Sequence, residues 1–109
     1  MEFDRMLKVL GEPTRLKIFQ CLLERKHCVR SLSKKLGISE SAVSQHMKIM
    51  KDAELVYGEK YGYHTHYLPL QEAVDFLTEQ FEQMKSASLN LDRDMTVCQC
   101  EYRKEVNQE

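Results

Sequence analysis

The strongest structural restriction in this sequence comes from a glycine that separates two short amphipathic segments. The stretch from Ser31 to Val56 reads SLSKKLGISESAVSQHMKIMKDAELV. It predicts a helix that ends at Leu36, because Gly37 can adopt the left-handed conformation that terminates a helix at little cost. Ser39 is then placed to cap a second helix. Two helices joined by so tight a turn are typical of a helix-turn-helix.

The predicted second helix has an apolar side and a polar side. On a helical wheel the apolar side holds Ala42, Val43, Met47, Ile49, Met50 and Ala53. The polar side holds Ser41, Ser44, Gln45 and Lys48. Small hydroxyls permit close approach to a duplex, Gln45 can pair with an adenine edge, and Lys48 can reach a phosphate or a guanine. The pattern fits a helix that reads the major groove, and an ordinary amphipathic surface helix is the alternative.

The distribution of charge agrees with a basic surface on a slightly acidic chain. The 109 residues, 42% hydrophobic and 30% charged with a net charge of −1, fit one globular domain. Residues 25–68 carry eight basic and four acidic side chains, whereas residues 69–109 carry four and nine. The net charge argues against general coating of nucleic acid, but the central segment can still present a basic recognition face.

Neither an export signal nor a membrane span is predicted. The N-terminal MEFDRMLKV carries charges where a signal peptide needs an apolar core, and no apolar run approaches the length of a span. We therefore expect a cytoplasmic protein whose thiols are reduced. An enzyme is not expected, because no nucleophile with a base, glycine-rich phosphate loop or paired-carboxylate pocket can be placed.

Two further amphipathic helices are predicted before the helix-turn-helix. The first ends at Gly11, and the second runs from Pro13 to Glu24. The apolar residues that define them are Phe3, Met6, Leu7 and Leu10 in the first, and Leu16, Phe19, Leu22 and Leu23 on the buried side of the second. Cys21 lies among the latter and is interpreted as a small core residue.

A β-hairpin is predicted after the second helix of the motif. Tyrosines, Val56 and Thr65 favour strands, and the segment from Gly58 to Gly62 is predicted to form the turn, with Lys60 and Tyr61 at its tip. A basic hairpin in this position is a wing, and Lys60 would contact the DNA backbone or the minor groove.

Two histidines follow in the second predicted strand of the hairpin. His64 and His66 share one face at strand spacing. We interpret them as packing or phosphate-contacting residues rather than as a metal pair, because a third ligand is not evident.

A long helix is predicted from about Leu70 to Leu89, and a polar tail follows it. The apolar stripe of this helix holds Val74, Leu77, Phe81 and Met84. With the first helix it forms a candidate dimer interface, and the alternative is that it only covers its own domain. The sequence therefore divides into a domain at residues 1–90 and a tail at residues 91–109.

Three of the four cysteines have no evident packing role. Cys28 is predicted near the N-terminus of a helix and close to basic residues, which favours the thiolate. Cys98 and Cys100 are one residue apart in the tail. If the segment is extended, two such thiols can bind a single soft ion, whereas the same spacing strains an intramolecular disulfide.

Four runs of sequence together resemble the arsenical-repressor and metallothionein-repressor (ArsR/SmtB) family. They are LGEPTRLKIFQCLLE, CVRSLSKKLG, ISESAVSQHMKIMKDAELV and YHTHYLP, and the similarity covers roughly residues 3–85. The resemblance implies a mainly α winged helix-turn-helix of order α-α-α-α-β-β-α. It also implies a homodimer joined through the first and last helices that represses operator DNA until an inducer binds. DNA would be read by Ser41, Ser44, Gln45 and Lys48 with the wing at Lys60.

The resemblance also directs attention to two kinds of sensor site. The arsenic and cadmium type commonly has a Cys-Val-Cys run before the reading helix, and here only the first thiol remains, in Cys28-Val29-Arg30. The zinc type uses Asp/His and His/Glu pairs on the last helix. This helix has Asp75, Glu79 and Glu82 but no histidine, so that site is not expected.

In some relatives, thiols from a C-terminal tail complete the half-motif, often across the dimer. By this resemblance, Cys28, Cys98 and Cys100 are predicted to form a three-thiolate site. Such a site suits As(III) or Pb(II), and Cd(II) could add water or His27.

Two alternatives to a metal sensor follow from the same cysteines. A disulfide between Cys28 and the tail would make the protein an oxidant or persulfide sensor. A structural zinc site in an interaction module that does not bind DNA is the other alternative.

Overall fold

A helix-turn-helix followed by a β-hairpin dominates the computed structural model, which describes residues 1–95 and 98–100. Within those residues the elements are α1 (Phe3–Leu10), α2 (Pro13–Glu24), α3 (Val29–Leu36), α4 (Glu40–Asp52), β1 (Val56–Tyr61), β2 (His64–Pro69) and α5 (Gln71–Leu89). The predicted mainly helical fold and its element order are confirmed. None of these helices combines the length and the hydropathy that a bilayer crossing demands.

The turn between α3 and α4 forms as its residues predict. Gly37 ends α3 at φ 69°, in the left-handed region, and its N–H donates to the carbonyl oxygen of Ser33 at 2.9 Å. Ser39 caps α4, since its hydroxyl accepts a hydrogen bond from the N–H of Ala42 at 3.0 Å. Local hydrogen bonds therefore fix where both helices of the motif end and begin.

The core lies where α1, α2, α3 and α4 meet the segment that leads into the hairpin. Its largest fully buried side chains are Met6, Ile18, Leu32, Val43, Met47, Met50 and Leu55. Burial of each such side chain contributes roughly 1.5–3 kcal/mol. Cys21 is also buried, which confirms its interpretation as a core residue.

The turn of the hairpin is shorter than predicted. Tyr61 pairs with His64, so the turn consists of Gly62 and Tyr63 rather than the segment from Gly58 to Gly62. Gly62 has φ 63°, which a two-residue hairpin turn requires at its first position. The tip of the wing is therefore Tyr63, whose side chain is fully exposed.

Gly58 has a different role from the one predicted. It lies inside β1, paired with Tyr67. A Cβ atom at this position would lie 2.7 Å from Cγ2 of Thr65, so glycine permits the cross-strand side chains to pack over the backbone. Lys60 consequently sits within the strand, next to the tip rather than on it.

Several apolar side chains are not covered by the part of the chain that the structure describes. Leu16 is 42% exposed and Leu23 is 53% exposed, so the prediction that both are buried was wrong for the single chain. Ile49, placed on the apolar side of α4, is also exposed. The helical period identifies an apolar face, but the width of that face exceeds what the neighbouring helices cover.

Helix α5 leaves its second half open. Val74 and Leu77 pack against the core, whereas Phe81 and Met84 are exposed. The ring of Phe3 on α1 contacts Phe81 with 5.6 Å between ring centroids. Helices α1 and α5 therefore share one exposed apolar surface.

Candidate nucleic-acid interface and cysteine sites

Helix α4 presents a polar side to solvent because its other side is buried. Val43, Met47 and Met50 are in the core, which fixes the rotation of the helix about its axis. The side chains proposed from the sequence to read DNA all lie on the exposed side: Ser41, Ser44, Gln45 and Lys48. None of these positions is drawn into the fold, so the whole stripe is accessible to a duplex.

The wing carries Lys60 in an exposed position and is braced through Tyr61. The Nζ atom of Lys26 lies 4.7 Å from the Tyr61 ring centroid, and the Tyr61 hydroxyl donates to Glu59 at 3.0 Å. The ring centroids of Tyr61 and His66 are 4.9 Å apart, so the two rings pack together, which confirms a packing role for His66. These contacts hold Lys26, a second basic side chain that the sequence did not indicate, against the wing.

His27 joins the wing to the start of α3. Its backbone N–H and carbonyl pair with Tyr67 at 3.3 and 2.8 Å. Its Nδ1 is 2.9 Å from the Ser31 hydroxyl, which donates to the carbonyl oxygen of Cys28 at 3.0 Å. Because the Ser31 proton is used there, the hydroxyl accepts from His27 Nδ1–H. Burial is the main cause that lowers the pKa of His27, and its buried Nε2 atom has no hydrogen-bond partner among the residues that the structure describes.

We expect the folding stability to decrease as the pH is lowered, because of the titration of His27. Since its folded-state pKa lies below the ordinary value of 6.5, the unfolded chain binds more protons at mildly acidic pH, and unfolding becomes more favourable as the pH falls through 6.5. Thermal unfolding between about pH 7.5 and pH 5.5 should show this slope in the wild type, and His27→Gln should flatten it.

The control for this prediction is His64→Gln, which removes an exposed histidine from the wing. His64→Gln should leave the slope unchanged, and a slope that survives His27→Gln would contradict the assignment to His27.

Cys28 occupies the N-cap position of α3 and is half-buried. The backbone N–H of Ser31 in the first turn is the largest cause that lowers the pKa of the Cys28 thiol, and partial burial opposes it. This direction agrees with the predicted preference for the thiolate, the form that binds metals.

A cleft of about 480 Å³ separates the first turns of α3 and α4 from the wing. Its lining includes Cys28 and Arg30 from α3, Glu40 from α4, and Tyr63, His64 and Thr65 from the wing. This cleft was not predicted from the sequence, and neither were roles for Arg30, Glu40 and Tyr63. The available signal was Arg30 itself, a basic side chain at the start of the helix that crosses the DNA backbone in a helix-turn-helix.

The two tail thiols lie close to each other. Cys98 and Cys100 are exposed, with their sulfur atoms 3.1 Å apart. Both could therefore approach one ion. Across residues 1–95 and 98–100, however, no three His, Cys, Asp or Glu side chains are grouped so that they could hold a metal. Within one chain, the described residues do not bring Cys28 together with the tail pair.

The exposed polar helix, its buried reverse side and the adjoining wing define a winged helix-turn-helix protein. Residues 12–57 match the model of the family described as bacterial regulatory protein, arsR family. The arsenical resistance operon repressor of Staphylococcus xylosus is 32% identical over 81 residues, which cover 74% of this chain and 78% of that protein. The chain belongs to the arsR family of bacterial regulatory proteins.

Two other similarities agree with this family. The HTH-type transcriptional repressor SmtB of Mycobacterium tuberculosis (strain ATCC 25618 / H37Rv) is 40% identical over 57 residues, 52% of this chain. That match spans only 42% of the mycobacterial protein. A crystal structure of a possible transcriptional regulator for arsenical resistance superposes with a TM-score of 0.66 and 26% identity, and covers 94% of each chain.

Proposed function

We propose that this protein is a cytoplasmic transcriptional repressor that binds operator DNA as a homodimer and releases it when a soft ion binds cysteine thiolates. The observation that supports the DNA-binding part is the exposed polar side of α4, which faces outward because Val43, Met47 and Met50 on the opposite side are buried. Two relatives, a transcriptional repressor and an arsenical resistance operon repressor, support the rest.

In this proposal α4 enters the major groove. Gln45 would form a bidentate pair with an adenine, Ser41 and Ser44 would allow close approach, and Lys48 would contact a phosphate or a guanine. Lys60 on the wing would contact the backbone and contribute affinity rather than sequence preference. A homodimer would place two such helices on successive turns of one face of the duplex.

For the inducer we propose As(III), Cd(II) or Pb(II), bound by Cys28, Cys98 and Cys100. Support comes from the 3.1 Å separation of the tail sulfurs and from the lowered pKa of Cys28, since soft ions bind thiolates. In this proposal the tail brings Cys98 and Cys100 to Cys28, either within its own subunit or across the dimer.

Gln45→Ala should weaken binding to the preferred duplex by roughly 1–3 kcal/mol and relax the preference at one base pair, because it removes a base contact. Lys60→Ala should instead weaken binding to all sequences and lower the salt slope by about one, because it removes a phosphate contact. The preferred sequence would first be selected from a randomised duplex pool, and affinities would be measured by fluorescence anisotropy over a range of salt.

The control for these two variants is Gln20→Ala, which truncates an exposed glutamine on α2. A Gln45→Ala protein with wild-type affinity and wild-type base preference would refute the role of Gln45. If the wild type selects no duplex and shows no salt-dependent binding, the proposed repressor function is wrong.

A further inference from the structure

We propose that the cleft between α3, α4 and the wing holds a phosphate of the DNA backbone, with Arg30 as its main ligand. This inference rests on the proposed function, because it requires the protein to bind a duplex. It adds a contact outside α4 and Lys60, and it places Cys28 beside that contact.

The cleft lies between the N-terminus of the reading helix and the tip of the wing. Glu40, which lines one wall, is the first residue of α4, and Tyr63 at another wall is the exposed tip of the wing. In a helix-turn-helix the N-terminal residues of the second helix meet base edges while the first helix crosses the backbone. A duplex that contacts both α4 and the wing therefore passes its backbone over the cleft between them.

The lining of the cleft offers a cation and several hydrogen-bond donors to a phosphate. The Arg30 side chain is exposed, and within the described part of the chain its guanidinium forms neither an ion pair nor a hydrogen bond. Guanidinium binds phosphate with two parallel hydrogen bonds. The hydroxyls of Tyr63 and Thr65 and the ring of His64 add donors on the opposite wall. The volume of about 480 Å³ is ample for one phosphate group.

Glu40 is expected to affect DNA binding in the opposite direction to Arg30. Its carboxylate lies on the α4 wall and repels an incoming phosphate, so the cleft combines one attractive and one repulsive charge. If a phosphate occupies the cleft, neutralising Arg30 weakens DNA binding and neutralising Glu40 strengthens it. A surface that merely lies near DNA at a distance would show much smaller changes because salt screens them.

Cys28 lines the same cleft, which connects the phosphate to induction. A group bound to the Cys28 sulfur would share this cleft with the phosphate and crowd it. Loading of Cys28 and binding of DNA would then each weaken the other by the same factor.

The test uses the full-length reduced protein and a mixed-sequence fluorescent duplex at several salt concentrations. Arg30→Gln should lower the affinity roughly tenfold at low salt and reduce the salt slope by about one. Glu40→Gln should raise the affinity several-fold. The matched control is Arg93→Gln, which removes the same charge just beyond the C-terminal end of α5 and should leave both quantities unchanged.

A second measurement on the wild type does not depend on the folding of any variant. Saturating duplex should slow alkylation of Cys28 by iodoacetamide several-fold relative to the same protein without duplex, as measured by peptide mass spectrometry. An alkylation rate of Cys28 that the duplex does not change would overturn the proposal.

The outcomes separate this inference from the proposed function. Wild-type protein that shows no salt-dependent duplex binding refutes the function itself. Wild-type binding together with an Arg30→Gln protein that behaves like Arg93→Gln refutes only the phosphate site. The circular dichroism and melting temperature of each variant establish that the comparison is made between folded proteins.

Discussion

Replacement of Cys28, Cys98 or Cys100 by serine is expected to abolish the release of DNA by arsenite, Pb(II) and Cd(II) while duplex binding persists. Loss of one thiolate leaves two, and a serine hydroxyl is a poor ligand for soft ions. Allosteric coupling of about 1–3 kcal/mol weakens DNA binding roughly 5–150-fold in typical cases. Each variant should instead bind DNA with the same affinity with and without the inducer. Anaerobic titration that follows thiolate-to-metal absorption, combined with anisotropy of labelled duplex, measures both steps.

The control is Cys21→Ala, because Cys21 is buried in the core and is not a proposed ligand. It should bind one ion per proposed site and respond to inducer as the wild type does. If a triple variant without Cys28, Cys98 and Cys100 were still fully inducible by these ions, the thiolate sensor would be refuted. If no ion binds and an oxidant releases DNA in a manner that dithiothreitol reverses, the cysteines serve as a redox or persulfide sensor.

Mixed dimers decide whether the tail acts within or across subunits. A Cys28→Ser subunit paired with a Cys98→Ser/Cys100→Ser subunit contains one complete site if the tail crosses the dimer and none if it does not. Statistical mixing should therefore restore about a quarter of the wild-type metal absorption, since half of the dimers are mixed and each has one intact site of two. Absence of any restored absorption would place each tail on its own Cys28.

Features set by short-range chemistry were predictable from the sequence. The stop at Gly37 and the cap at Ser39 depend on residues within one helical turn, so their residue types suffice to locate them. The hairpin shows the limit of that reasoning, since both Gly58 and Gly62 are turn formers. Only the packing of Thr65 over Gly58 reveals that one glycine provides space and the other provides the positive φ.

Features set by long-range packing were predictable only in part. Periodicity assigned Leu16 and Leu23 to the apolar side of α2 but could not show that none of the described elements covers them. The candidate cleft was missed for the same reason. Arg30, Glu40 and Tyr63 come from three elements, and only tertiary structure brings them to one surface.

A charge placed on the exposed apolar surface of α5 is expected to disrupt the dimer. Phe81 is 50% exposed and Met84 is 56% exposed, on the helix that also contacts Phe3 of α1. A glutamate at either position would place a charge in the proposed interface, where its desolvation has no compensating partner. We expect Phe81→Glu and Met84→Glu to be monomers by sedimentation. Their affinity for a two-site operator should fall roughly 10²–10⁴-fold, because the second reading helix is no longer tethered to the first.

Ser86→Glu is the control for the dimer prediction, since it adds the same charge to an exposed position on the opposite side of α5. It should remain dimeric with wild-type affinity. Met84→Glu also guards against a trivial loss of fold, because Phe81 packs on Phe3 whereas no ring or polar contact within the described residues involves Met84. Dimeric Met84→Glu protein with unchanged DNA affinity would mean that α5 only covers its own domain. The exposed leucines of α2, Leu16 and Leu23, would then be the next candidates for the interface.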